Sequence, residues 1–172
     1  MTMKDPVAGL FHSTLHSKFG YMRAVSDGLN LIRLDWKQET FAQRGNPDDV
    51  SRETCEQLAT YLAGERKAFD LPLLAAGKSE TGRLWLAVMA LIPYGTTMSY
   101  GAFATLAGKP KAPRAAGTAC STNPLPIIYP CHRVVRQGGN LGNYGGGSNL
   151  SPRHPDNLGR KQALIDLEKA FA

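Results

Sequence analysis

Cysteine is scarce: three in 172 residues, at positions 55, 120 and 131. An odd count without framework spacing excludes a disulfide scaffold and fits a reducing compartment. No apolar run approaches the ~20 residues a membrane helix needs. Behind Met1-Thr2-Met3-Lys4-Asp5-Pro6 there is no apolar core of a secretion signal. Neither a repeat nor a low-complexity segment occurs. Acids are the minority charge, 14 Asp and Glu against 20 Lys and Arg, a formal net charge of +6. That balance suits a nucleic-acid partner without requiring one. The expectation is a cytoplasmic, monomeric protein of one domain or two small ones, with enough chain for a real core.

Taken in order, residues 10 to 36 read as a β-meander: short strands on either side of Gly20, a hairpin turn at Asp27-Gly28, then Leu29, Leu31 and Leu34 leading to Trp36. His12 and His16 have no clustered acid or cysteine beside them and read as solvated strand residues, not metal ligands. A helix is predicted from Ser51, which with Glu53 and Thr54 forms its N-terminal cap. Cys55, Leu58, Ala59 and Leu62 share a face of it, so Cys55 is expected in the core, and Gly64 ends the helix. The stretch 75–81 reads as a link, dividing the chain into subdomains 1–78 and 79–172.

Beyond the link the character becomes helical. Leu84 to Ile92 is nearly all apolar and predicts a buried helix stopped by Pro93-Tyr94-Gly95. Ser99 caps a second helix, Tyr100 to Leu106, and a basic turn at 109–113 leads into a third, Arg114 to about Ser121. Two short helices joined by a turn form a helix-turn-helix arrangement, although a plain packed helical hairpin has the same pattern. The second helix of the pair opens Arg114-Ala115-Ala116-Gly117, almost devoid of side chains that read base edges. It suits close approach to any DNA sequence. The glycine-rich stretch at 142–147 allows tight backbone approach, and it lacks the Lys-Ser/Thr of a phosphate-binding P-loop. A closing helix is expected from Arg160 to Glu168.

The most informative stretch is Asn123-Pro-Leu-Pro-Ile-Ile-Tyr-Pro-Cys-His-Arg-Val-Val135. Pro130 is expected to keep Ile128-Tyr129 extended, stiffening the chain up to Cys131. Arg133 offers a cation that would lower the thiol pKa toward the nucleophilic thiolate.

That string, with Ile92-Pro93-Tyr94-Gly95, Ser99-Tyr100-Gly101, Arg114-Ala115-Ala116-Gly117, Gly142-Asn143-Tyr144 and Leu164 to Glu168, resembles the O6-alkylguanine-DNA alkyltransferase family. The resemblance is specific from about residue 92 to 168 and looser before. It implies an α+β fold: an antiparallel sheet and helix of ribonuclease H-like type, then a mostly helical subdomain with the helix-turn-helix. Cys131 would be the nucleophile, deprotonated through a water by His132, which Glu168 orients. Tyr100 would donate a proton toward the departing guanine. Arg114 would fill the gap left by a flipped nucleotide, with Ala115, Ala116, Gly117 and Tyr100 along the DNA. Backbone at Cys131, Val134 and Gly145 would read the base, Tyr144 and Pro126 would wall the pocket, and Asn123 would tie the helix pair to the active-site strand. The implied partner is double-stranded DNA carrying alkylated guanine, with no cofactor and no membrane. Some relatives hold zinc, but no cysteine precedes Cys55, so no metal is expected.

The chain departs from the pattern in two places. Thr81 and Trp85-Leu86 stand where an aromatic and a Val-Trp pair are usual, and the connection from Gly147 to Lys161 is several residues longer. Three other readings compete. A non-catalytic relative should lack the cysteine. A cysteine hydrolase would leave the helix pair unexplained. A transcription regulator should carry base-reading side chains on its second helix.

Overall fold

A computed structural model describes residues 6–172, which divide into two compact units, one ending at Ala76 and one running from Gly77 to Ala172. In the first, β1 (Phe11–Ser17), β2 (Gly20–Ser26) and β3 (Leu31–Lys37) form an antiparallel sheet in the order β1-β2-β3. Gly20 closes the first hairpin at φ +111, where a Cβ would come 2.8 Å from the Lys37 carbonyl oxygen, so only glycine fits. The second hairpin is wider than Asp27-Gly28 suggests. Its loop runs from Asp27 to Asn30, and the Asp27 carboxylate accepts from the Leu29 and Asn30 amides.

Strand alternation puts Met22, Ala24, Leu34 and Trp36 on one face, all fully buried. Helix α1 (Asp49–Leu62) contributes Leu58 and Tyr61 to that core, and its Ser51 hydroxyl meets Ser13 at 2.8 Å. On the opposite face Arg23 pairs with Asp35 at 2.7 Å and stacks on Phe41 at 4.3 Å.

Three expectations in this unit are corrected. The α1 cap is Asp48, and Ser51 is the reciprocal partner of a capping box: its amide donates to Asp48 and its hydroxyl accepts from the Asp48 amide. The inner face of α1 carries Ser51, Thr54, Gln57, Leu58, Tyr61 and Leu62, leaving Cys55 half-buried and Ala59 exposed. His12 is buried, not solvated, on a strand whose backbone pairs with Asn46.

The second unit is built from α2 (Glu80–Met89), β4 (Met98–Ser99), α3 (Tyr100–Leu106), α4 (Pro113–Ser121), β5 (Val134–Val135) and α5 (Pro155–Phe171). Ser79 caps α2 and Ser99 caps α3, each hydroxyl accepting an amide of the first turn. Pro113 opens α4, where a missing N–H costs nothing. Trp85 meets Phe103 edge-on at 5.3 Å. The α2 segment is amphipathic instead of wholly buried: Trp85, Leu86 and Met89 face inward, while Leu84 and Leu91 are 50% and 68% exposed.

Helix α4 packs on α3 and α2, and its buried residues are Ala116, Ala119 and Cys120. Ala116 is therefore a packing residue with no exposed surface, which corrects its expected place along DNA. β4 and β5 pair in parallel, Met98 with Val134 and Ser99 with Val135. This short ladder fixes the start of α3 beside the chain that leaves Cys131. Helix α5 begins five residues before the expected Arg160, because His154 caps it and Pro155 starts its first turn. No helix among the described residues is long and apolar enough to cross a membrane.

Candidate active site

The approach to Cys131 is a turn, not the extended run that Pro130 suggested. Ile127 sits at φ +73, the Tyr129 amide donates to the Leu125 carbonyl at 2.9 Å, and Cys131–Arg133 forms a single 3-10 turn. There is accordingly no active-site strand at the thiol itself; β5 begins three residues later. Asn123 straps this turn. Its Oδ1 accepts from the Leu125 amide at 2.9 Å, and its Nδ2 donates to the Tyr129 carbonyl at 2.8 Å and to Cys131 Sγ at 3.2 Å. The residue expected to tie elements together thus touches the Cys131 thiol.

In the same turn the next two side chains converge on α5. His132 Nε2 lies 2.7 Å from Glu168 Oε1. Arg133 grips the same carboxylate, Nε to Oε2 at 2.9 Å and Nη2 to Oε1 at 2.8 Å, and sends Nη1 to the Ile92 carbonyl at 2.6 Å. The Gly95 amide adds a bond to Oε2 at 3.1 Å. His132, Arg133 and Glu168 are all buried. This corrects the expected role of Arg133, whose charge is committed to Glu168 and not to the thiol.

The cation that favours the thiolate is Lys161, which the motif reading missed. It is fully buried and donates to the carbonyls of Leu141 and Asn143. Burial pushes its pKa down to about 8. A signal was present: on α5, Lys161 is one turn before Leu164 and two before Glu168, a core-facing position where an alkyl residue would be usual.

Cys131 is pushed up by burial, and the Asn123 hydrogen bond and the Lys161 charge pull it back. Burial lowers His132, so it rests as neutral imidazole. Tyr100 is raised to about 12, chiefly by burial, and stays a protonated phenol near neutral pH.

Beside the thiol turn, Tyr100, Pro113, Arg114, Gly117, Arg136 and Asn143 line a cleft of about 370 Å³. Tyr100 Oη donates to the Asn143 carbonyl at 3.5 Å, and Lys161 Nζ lies 5.7 Å from the Tyr100 ring centre. The glycine loop packs tightly: a Cβ on Gly142 would meet Tyr100 Oη at 2.9 Å, and one on Gly145 would meet the Ser121 carbonyl at 2.8 Å. Of the remaining expected residues, Arg114 and Ala115 are exposed on α4 and Gly117 is half-buried, whereas Pro126, Val134 and Tyr144 are buried. Among the described residues no group of three or more His, Cys, Asp and Glu could hold a metal ion.

Chemically, this is a buried thiol with a hydrogen-bond donor, a nearby cation, an oriented imidazole and a proton-donating phenol at a cleft edged by an exposed arginine. Residues 10–75 match the ribonuclease-like domain of 6-O-methylguanine DNA methyltransferase, and residues 81–170 match its DNA binding domain. A methylated-DNA–protein-cysteine methyltransferase of Mycobacterium tuberculosis is 37% identical over 167 residues, covering 95% of this chain and 94% of its own. The constitutive enzyme of that name from Bacillus subtilis is 41% identical over 144 residues, 79% of this chain and 87% of its own. The crystal structure of Mycobacterium tuberculosis OGT in complex with DNA resembles this fold with a TM-score of 0.78 at 35% identity, covering 94% of each chain. On the two domain matches and this full-length similarity, the chain belongs to the methylated-DNA–protein-cysteine methyltransferase family.

Proposed function

We propose that this protein repairs DNA by direct reversal, transferring the alkyl group of O6-alkylguanine to Cys131 Sγ. The observation that carries the reading is the bonded chain from Asn123 through the Cys131 turn to His132 and Glu168, beside the cleft of Tyr100 and Arg114. The His132–Glu168 bond selects the tautomer with a proton on Nε2, making Nδ1 the basic nitrogen for the thiol proton. As that proton is relayed to His132, the charge appearing on sulfur is stabilised by the Asn123 N–H and by Lys161.

The thiolate attacks the alkyl carbon in line with the carbon–O6 bond. A carbon–sulfur bond forms, the carbon–oxygen bond breaks, and the electron pair stays on the guanine. The Tyr100 phenol supplies a proton, so that a neutral base leaves. A thioether has no easy hydrolytic exit, so each molecule acts once.

A stacked guanine keeps O6 out of reach of a buried sulfur, so the nucleotide must be extruded into the cleft. Arg114, exposed at the cleft edge, occupies the vacated stack. Pro126, Val134, Tyr144 and Gly145 form the base pocket around the thiol turn, and Ala115 and Gly117 lie against the DNA backbone. The division of labour leaves residues 1–76 as support and gives 77–172, two residues more than the expected 79–172, to DNA binding and transfer. The protein works as a monomer in the cytoplasm, where its three thiols stay reduced.

Intact mass after mixing excess protein with a duplex carrying one O6-methylguanine tests the proposal. The expected result is one added methyl group mapping to Cys131, with product capped at one per protein. Bound DNA without a mass change would replace this reading with a non-catalytic lesion binder.

A further inference from the structure

Helix α4 lies between two clefts. Arg114 and Gly117 line the one beside Tyr100, while Ala115, Thr118, Ala119 and Thr122 line a second of about 430 Å³. At 100° per residue these two sets project from opposite flanks of the helix, and Arg114 and Thr118 border the ridge between them on either side. An α-helix with its side chains is about 10–12 Å across, the order of the width of a DNA groove. A helix laid in a groove therefore has one sugar-phosphate backbone along each flank.

The second cleft has the chemistry of an anion seat. Its other walls include Lys78, Ser79, Thr81 and Trp85, and no carboxylate lines it. Lys78 Nζ donates to Thr122 Oγ1 at 2.6 Å, and that hydroxyl donates onward to the Thr118 carbonyl at 2.7 Å. The lysine is thereby held across the cleft with further N–H donors to give, and it forms no salt bridge with a carboxylate among the described residues. Phosphate oxygens, which only accept, fit such a surface.

We propose that this cleft seats a phosphate of the strand opposite the lesion, with Lys78 as its cation and the Ser79, Thr81 and Thr118 hydroxyls as neighbours. The inference rests on the repair reading above and extends it from the damaged nucleotide to its complement. Gripping both backbones holds the duplex in register while one nucleotide leaves the stack, and it makes duplex the preferred substrate.

The test measures the second-order rate of methyl transfer at limiting protein. The substrates are lesion duplexes in which one phosphate of the undamaged strand at a time is replaced by a neutral methylphosphonate. One position should slow the wild type roughly fivefold near 0.15 M salt, the loss of about one phosphate contact. Lys78→Gln should match that slowing on the native duplex, flatten the salt dependence by about one unit, and show no further response to the same methylphosphonate. Lys78→Arg should restore the response. Multiplying effects, or a wild type indifferent to every position on the undamaged strand, would overturn the proposal. If the wild type transfers no methyl group from the unsubstituted duplex, the repair reading itself fails, an outcome separate from either of these.

Discussion

His132 and Glu168 stand 2.7 Å apart, imidazole nitrogen to carboxylate oxygen, with both side chains buried. That carboxylate also neutralises Arg133, so one acid orients the proposed base and balances a buried cation. Glu168→Gln preserves size and removes the charge. It should lower stability by about 3–5 kcal/mol, the cost of leaving a buried charge without its partner. Urea unfolding checks this as a lower midpoint at constant slope; an unmoved midpoint would mean that Arg133 is balanced elsewhere.

The pH dependence of stability follows from His132. Its folded pKa lies below the free value of 6.5, because burial outweighs the pull of Glu168. The unfolded chain therefore takes up the proton first as the medium is acidified. The contribution of neutral His132 is complete above about pH 6.5 and is lost as pH falls from there toward the folded pKa. Unfolding free energies between pH 7 and 5 should decline less steeply in His132→Gln than in the wild type. Parallel slopes would remove His132 as the source.

Lys161→Met should shift the titration of Cys131, the proposed nucleophile, without displacing it from its turn. With the ammonium gone, Cys131 loses a cation that lowers its pKa, and burial is then opposed only by Asn123 and the backbone amides of Cys131 and His132. Transfer near pH 7 should slow by about tenfold for each unit of upward shift, and the rate should recover on going alkaline. Lys161→Arg, which keeps the charge, should hold the original profile. The same pH–rate curve for Met and wild type would show that Lys161 serves only the Leu141 and Asn143 carbonyls.

Local rules read some of these features from the chain alone and miss others, and the division has physical causes. Ser99 with the apolar pattern after it announces α3, because a cap hydroxyl and the first turn are sequence neighbours. The thiol segment marks Cys131 through its whole string, and Asn123, expected to tie the helix pair to a strand, instead bonds within the turn. The α1 start is ambiguous in sequence because Asp48 and Ser51 both suit a cap, and only the reciprocal bonds between them assign the roles. Proline stiffness at Pro130 was overridden by the Asn123 side chain, which bonds three points along the segment and folds it into a turn. The partners of Arg133 and Lys161 lie beyond local rules: one meets a carboxylate 35 residues away, the other two carbonyls 18 and 20 residues back. Charge near a cysteine in sequence therefore says little about charge near its sulfur. Ala116 shows the same limit in packing: of Ala115, Ala116 and Gly117 only Ala116 is buried, and no local rule supplies the helices packed on α4.

Arg114→Ala separates base displacement from chemistry. The side chain is exposed at the edge of the cleft, makes no salt bridge among the described residues, and begins a helix held by its inner face, so truncation leaves the fold intact. If Arg114 occupies the stack after extrusion, the variant should transfer methyl groups from duplex DNA much more slowly, while transfer from the free base O6-methylguanine, which has no stack to leave, changes little. Placing the lesion opposite an abasic site should narrow the gap between variant and wild type on the duplex, because an unpaired base is cheaper to extrude. Single-turnover assays on the three substrates make the comparison. Equal slowing on all three would assign Arg114 to the chemical step or to general binding, and the stack-filling role would be lost.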